Sequence, residues 1–253
     1  MEILGLIPAR AGSQGVPRKN LRLLCGKPLL VYTIEAAFLA SITRVVVTTE
    51  SPEIASVARH HGADVPFLRP LALAAHAGVT SMQIAQHALH YLHKTEGYKP
   101  DIMVFLQPTS PLRTAAHIDR GIEMLLESDT DSVVGVRQVE SEHPYFMMRL
   151  DRDSDLRAYI EMENKPLSRQ DLPPLYLING ALYISGWEYV IRAPETAPLF
   201  SNRCKGLIMD PLSSVDINTP LDFLLAQTIL SQRPGGNVST LTPVSVEGGG
   251  NGL

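Results

Sequence analysis

The feature that most constrains the fold is an alternation. Short apolar, β-branched runs recur along the chain, and between them lie longer segments whose apolar residues return at three and four. The runs are "EILGLI", "RVVVTT", "DIMVFLQ", "DSVVGV", "LINGALYIS" and "GLIMD". Strands separated by helix-length crossovers specify βαβ units, and therefore an α/β fold on a largely parallel sheet. The expected helices are "PLLVYTIEAAFLA", with Pro28 in its first turn, "SPEIASVARHHG", opened by Ser51 and Pro52 and stopped by Gly62, "TSMQIAQHALHYL" and "TPLDFLLAQTIL". In the last, Thr219, Pro220 and Asp222 form a capping box with proline at the first helical position.

A chain of 253 residues with 45% hydrophobic content can bury a sizeable core. A net charge of -4 argues against broad nucleic-acid binding, so any basic site is local. Cys25 and Cys204 have no partners at metal-ligand spacing and make no disulfide framework, which fits a reducing cytoplasm. No basic segment precedes "ILGLI", and no apolar run approaches the roughly 18 residues of a membrane helix. The expectation is a soluble, unexported protein with no membrane or nucleic-acid partner. From His143 to Pro174 the alternation fails in a charged, proline-bearing stretch, read as a small β-rich flap. Residues 1–233 are expected to form one domain, and 234–253, rich in Gly, Ser and Thr, a disordered tail.

Directly behind the first strand lies "PARAGSQGVPRKN". A glycine-bearing turn at the C-terminal end of a strand lets backbone N–H groups approach phosphate oxygens, and open α/β sheets bind ligands at such ends. Arg10, Arg18 and Lys19 add charge there. The spacing fits neither the dinucleotide fingerprint nor the P-loop. On composition alone, a solvated turn remains the other reading.

Five segments occur in a characteristic order: "IPARAGSQGVPRKN", "FLRPLALA", "FLQPTSPLR", "SRQDLPPLYLINGALYIS" and "SVDINTPLDFLLA". In this the chain, over roughly residues 2–232, resembles the acylneuraminate cytidylyltransferase family, the CMP-sialic acid synthetases and their relatives. The resemblance implies a Rossmann-like, three-layer nucleotidyltransferase fold with a mostly parallel mixed sheet, and a homodimer formed through the flap. It implies that CMP passes from CTP to the anomeric hydroxyl of a nonulosonic acid, releasing pyrophosphate. By the same resemblance Arg10, Ser13, Lys19 and Asn20 contact the triphosphate, Arg69 lies near the base, and Gln107 faces both nucleotide and acceptor. Arg169 would hold the acceptor carboxylate, reaching in from the partner subunit, while Asn179 and Tyr183 line the acceptor pocket. Asp216 and Asn218 stand where the family has an Asp-x-Asp pair that holds Mg²⁺. Arg10, Lys19 and Asp216 are the candidate catalytic groups.

Some of these positions admit a plainer reading. Arg69 could be solvated, Tyr183 could be a core strand residue, and Asn218 could serve only as the turn before the last helix. His143 is the best-placed histidine for a base, although a residue before Pro144 suits a turn. Gln14 stands where the family commonly has lysine, and His76 near a usual aspartate. These departures keep two other functions open: CMP transfer to another small anionic acceptor, such as a phosphonate or 3-deoxy-octulosonate, and nucleotide binding without turnover.

Overall fold

The computed structural model describes residues 1–74, 78–161 and 171–232. In chain order its elements begin with β1 (Ile3–Pro8), the short strands β2 (Leu23–Leu24) and β3 (Lys27–Pro28), α1 (Leu29–Phe38), β4 (Arg44–Thr48), α2 (Pro52–His60) and α3 (Ser81–Glu96). There follow β5 (Ile102–Phe105), α4 (Ala115–Leu126), β6 (Ser132–Gln138), β7 (Met148–Leu150) and β8 (Leu156–Ala158). The chain then forms β9 (Tyr176–Gly186), α5 (Trp187–Arg192), β10 (Cys204–Ile208) and α6 (Pro220–Ser231). Each of the six expected apolar runs is a strand of one sheet, ordered β10, β6, β9, β5, β1, β4. Only β9 runs against its neighbours β5 and β6; the other pairings are parallel.

Both faces of this sheet are covered, which is why its central strands read as continuous apolar runs. Along β1, Ile3 and Ile7 face α1, α2 and α4 through Ile34, Ile54 and Ile118. Leu4 and Leu6 face the other way, toward Met82 and Leu89 of α3 and Trp187 of α5. The result is three layers, helix on sheet on helix. Because α1 and α3 lie on opposite faces, the strand order reverses at β1, between β4 on one side and β5 on the other. Such a switch point opens a crevice beyond the C-terminal ends of the strands. The loops after β1, β4, β5 and β6 all leave from that edge.

The helix signals act where expected, with small shifts. Ser51 caps α2, accepting from the Ile54 N–H, and Gly62 adopts φ +87° behind it. Thr219 and Asp222 form the capping box of α6. Pro28 sits one place earlier than expected, as the cap residue of α1 rather than inside its first turn. The sequence pattern did not assign α4, which contains Gly121. There a Cβ would come within 2.7 Å of Ile184 Cδ1, so the glycine serves close helix-to-sheet packing at the cost of helix propensity. In the stretch expected to form the flap, β7 and β8 pair as an antiparallel hairpin, with Leu150 opposite Leu156. The tail lies outside the described residues, as do His76 and Arg169. Among the described residues no helix is long and apolar enough to cross a membrane.

The N-terminus of α3 is held by a reciprocal box. The Thr80 hydroxyl accepts from Gln83 N at 3.1 Å, and Gln83 Oε1 accepts from Thr80 N at 2.9 Å. Thr80 also donates to the Glu195 carbonyl. Thr80→Ala is therefore expected to lower unfolding free energy by about 1 kcal/mol, measured by urea denaturation.

Candidate functional site

The loop behind β1 folds back because it has a second surface to lie on. Val16 packs with Ile217 and Phe223 in a small core of its own, separate from those of the sheet. Lys19 Nζ donates to the Ile217 carbonyl at 2.6 Å. At Gly15 the loop comes so near the 216–218 segment that a Cβ would stand 1.9 Å from the Asn218 carbonyl oxygen. Asn20 is buried and donates its amide to the Arg10 carbonyl at 2.8 Å, closing the loop on itself.

The cleft so formed has a volume of about 470 Å³ and is lined by Arg10, Ser13, Lys19, Asn20, Arg69 and Gln107, together with Asp216 and Asn218. Arg18 is not brought to it and pairs with Glu53 outside. Burial overturns the solvated reading of Arg69. Its side chain is 1% exposed, bonded to Glu50 Oε2 at 3.1 Å and to the Thr48 carbonyl at 3.4 Å. Glu50 also accepts from Ala11 N at 2.7 Å, tying the loop to Arg69. Nothing in the sequence marks Glu50 beyond its place after a strand, and it was missed.

A second cleft, about 640 Å³, adjoins the first and shares Gln107, Asp216 and Asn218 with it. Arg137, Asn179 and Tyr183 line it as well. Gly180, at φ +74°, permits the junction: a Cβ there would stand 2.9 Å from Gln107 Oε1. Asn179 lines the cleft, but its amide is engaged in the fold, donating to Ser214 Oγ at 3.0 Å and accepting from Ala181 N at 3.0 Å. Tyr183 is half-buried and does both things considered for it: its ring meets Phe105 in the core and it faces the cleft. Burial, then the charge of Asp216, raises its pKa.

At the shared wall, Asn218 Nδ2 donates to Asp216 Oδ2 at 2.7 Å. The other carboxylate oxygen, Oδ1, is buried with no hydrogen-bond partner. An unpartnered, buried anionic oxygen between two clefts suits a cation. Asn218 also serves the helix, since its N–H and that of Thr219 donate to Asp222 Oδ2 at 2.9 and 2.7 Å. Burial would raise the Asp222 pKa, but these bonds outweigh it and the pKa falls. The pKa of Lys19 is lowered as well, in its case by burial itself, with Asp216 pulling the other way. Among the described residues no group of three or more His, Cys, Asp or Glu side chains is arranged to hold a metal.

Two further residues complete the picture. His143 is buried, its Nδ1 accepting from Tyr145 N at 3.3 Å and its Nε2 facing the Pro173 carbonyl at 3.2 Å, so the ring is a turn cap and not a base. Arg113, the last residue of "LQPTSPLR", is buried and bonds the Ala181 carbonyl at 2.7 Å, Thr33 Oγ1 at 2.8 Å and the Gln107 carbonyl at 3.3 Å. It braces Gln107 from behind. The motif that contains it was the available signal.

Residues 4–198 match the family model described as cytidylyltransferase. The chain is 35% identical over 240 residues to CMP-N,N'-diacetyllegionaminic acid synthase of Legionella pneumophila, covering 91% of this chain and 97% of that protein. It is 33% identical over 233 residues to N-acylneuraminate cytidylyltransferase of Escherichia coli, covering 92% of this chain but only 53% of that longer protein. Among solved structures, CMP:2-keto-3-deoxy-manno-octonic acid synthetase complexed with CTP shares the fold at a TM-score of 0.65 and 14% identity, over 92% of this chain and 99% of that one. The 4-diphosphocytidyl-2C-methyl-D-erythritol synthase of Anaerococcus prevotii does so at 0.61 and 13%, over 91% and 96%.

The approach at Gly15 yields a direct check. Its neighbour is a backbone oxygen, which cannot swing aside, so Gly15→Ala should push the loop off the 216–218 segment. The expected loss is about 1–3 kcal/mol of stability, read from denaturant unfolding.

Proposed function

The chain belongs to the cytidylyltransferase family, and from that premise we propose that it transfers CMP from CTP to the anomeric hydroxyl of a nonulosonic acid. The observation that carries this reading is the pair of adjoining clefts with Gln107, Asp216 and Asn218 in common. One cleft offers Arg10, Lys19 and the loop backbone to a triphosphate; the other takes the acceptor. The common wall is where the two substrates meet. The names of the Legionella and Escherichia relatives support the acceptor class.

In this proposal the acceptor oxygen attacks the α-phosphorus in line, the bond to the β-phosphate oxygen breaks, pyrophosphate leaves and the hydroxyl proton passes to solvent. The protein's part is positioning and charge neutralisation. Arg10 and Lys19 offset the charge gathering on pyrophosphate, Ser13 and Asn20 shape the cradle, Arg69 and Glu50 fix its rim toward the base, and Gln107 faces both substrates. Asn179 and Tyr183 form the acceptor wall. Asp216, through its unpartnered Oδ1, and Asn218 would hold a divalent cation, which we take to be Mg²⁺, with nucleotide phosphates supplying further ligands. Bound there, the cation supplies neutralisation of phosphate charge and polarises the reacting oxygens.

We further propose that residues 1–233 act as one domain and that the protein works as a homodimer in the cytoplasm. The hairpin β7–β8 is amphipathic: Arg149 opposes Arg157 on one face, while Leu150 and Leu156 on the other are 65% and 64% exposed. A bare two-stranded hairpin with an uncovered apolar face is marginal in water, and a second copy would cover it. Cys25 and Cys204 are both free thiols, in keeping with a reducing compartment.

The deciding assay is pyrophosphate release from CTP across sialic, legionaminic and pseudaminic acids, 3-deoxy-octulosonate and a phosphonate. Turnover of a nonulosonic acid is expected; turnover only of another acceptor, or of none, rejects the reading. Lys19→Ala should weaken CTP binding by about 1.5–3 kcal/mol in calorimetry. Since the lowered pKa of Lys19 sheds its proton earlier as pH rises, CTP affinity should decline below the ordinary lysine range, and Lys19→Arg should remove that decline. Asn218→Asp would set two carboxylates against each other, so its melting temperature should fall without metal and rise more than wild type's on adding Mg²⁺.

A further inference from the structure

The second cleft poses a charge problem. The described residues lining it include Glu140, Glu142, Asp216 and Asp222, and a single cation, Arg137. Even with a divalent cation at Asp216, the carboxylates of Glu140, Glu142 and Asp222 leave the cleft acidic, so an acceptor that carries a carboxylate needs a positive partner of its own. Arg137 lies near the C-terminal end of β6, the same sheet edge from which the other site loops leave, opposite Leu177 of β9. Between Val134 and Val136 the β6–β9 register shifts, an irregularity of the kind that re-aims the side chains beyond it.

Arg137 Nη2 stands 2.6 Å from Glu142 Oε2, with its side chain 24% exposed and that of Glu142 56%. Glu142 thus presents a carboxylate to the guanidinium inside the cleft. Its own position is set by the next residue, since His143 is buried and bonded at both ring nitrogens. A guanidinium fork binds any carboxylate in the same geometry, so a substrate carboxylate can take the place of the Glu142 one.

We propose that Arg137 is the specificity-determining anchor for the acceptor's carboxylate, and that Glu142 holds its guanidinium in place until the acceptor exchanges for it. This rests on the acceptor cleft as assigned above. It gives the described part of the chain a carboxylate contact of its own, independent of Arg169.

The test is steady-state pyrophosphate release with the nonulosonic acid that the wild type accepts, and with its methyl ester. Arg137→Ala and Arg137→Gln should raise the acceptor KM on the order of 10- to 100-fold while the KM for CTP stays unchanged. The wild type should prefer the acid to the ester, and both variants should lose that preference; Arg137→Lys should restore part of it. Glu142→Gln should lower the acceptor KM severalfold by removing the competitor. A merely structural Arg137 would weaken acid and ester alike or disturb CTP as well, and either result overturns the assignment. An unchanged or higher KM in Glu142→Gln overturns the exchange. If the wild type turns over no nonulosonic acid, the functional reading itself has failed; if it does and Arg137→Ala matches it, only this inference has.

Discussion

Everything in the site depends on how the first loop lies against the last one. Gly15 touches the Asn218 carbonyl, Lys19 bonds the Ile217 carbonyl at 2.6 Å, and Val16 shares a small core with Ile217 and Phe223. These contacts join segments some two hundred residues apart in sequence. Without them the basic loop would be a solvated turn, the plainer of its two sequence readings. With them it lines a cleft together with Asp216 and Asn218. The sheet makes this possible because its strand order reverses at β1, which opens the crevice that the loop roofs.

The same contact sets the electrostatics. It brings the Lys19 ammonium out of water and near Asp216, so that burial lowers the lysine's pKa while the carboxylate resists the change. It leaves Asp216 with one oxygen held by Asn218 and the other buried and unpartnered. A cationic loop and an unsatisfied anion thus line the same cleft. Asn218 does more here than fill a turn. The amide donates to Asp216, a bond that a second carboxylate could not make.

Much of the framework was legible because local chemistry and tertiary role agree. "ILGLI" is apolar throughout because both faces of β1 are buried, and Thr219–Asp222 caps α6 as its residue types suggest. Where local signals and packing conflict, the sequence was harder to interpret. Gly121 weakens the period of α4 since the helix needs close contact with Ile184, and Pro28 ends β3 before α1 begins. In the site, motif order singled out the loop, Gln107 and Asp216, which the structure brings to one cleft, since the residues that shape a cleft cluster in short stretches. Glu50 and Arg113 act through partners distant in sequence, Arg69 in one case and Ala181 and Thr33 in the other, and no local pattern reveals such pairings. Arg18 shows the converse error, a loop cation that the fold turns outward to Glu53.

The central claim is that Asp216 joins nucleotide and metal at the wall between the two clefts. It is tested most directly by calorimetric titration of CTP into the wild type and into Asp216→Asn, each with and without Mg²⁺. Mg²⁺ should strengthen CTP binding to the wild type, and Asp216→Asn should bind CTP equally well with and without it. A variant that keeps the wild-type gain on adding Mg²⁺ would contradict the claim.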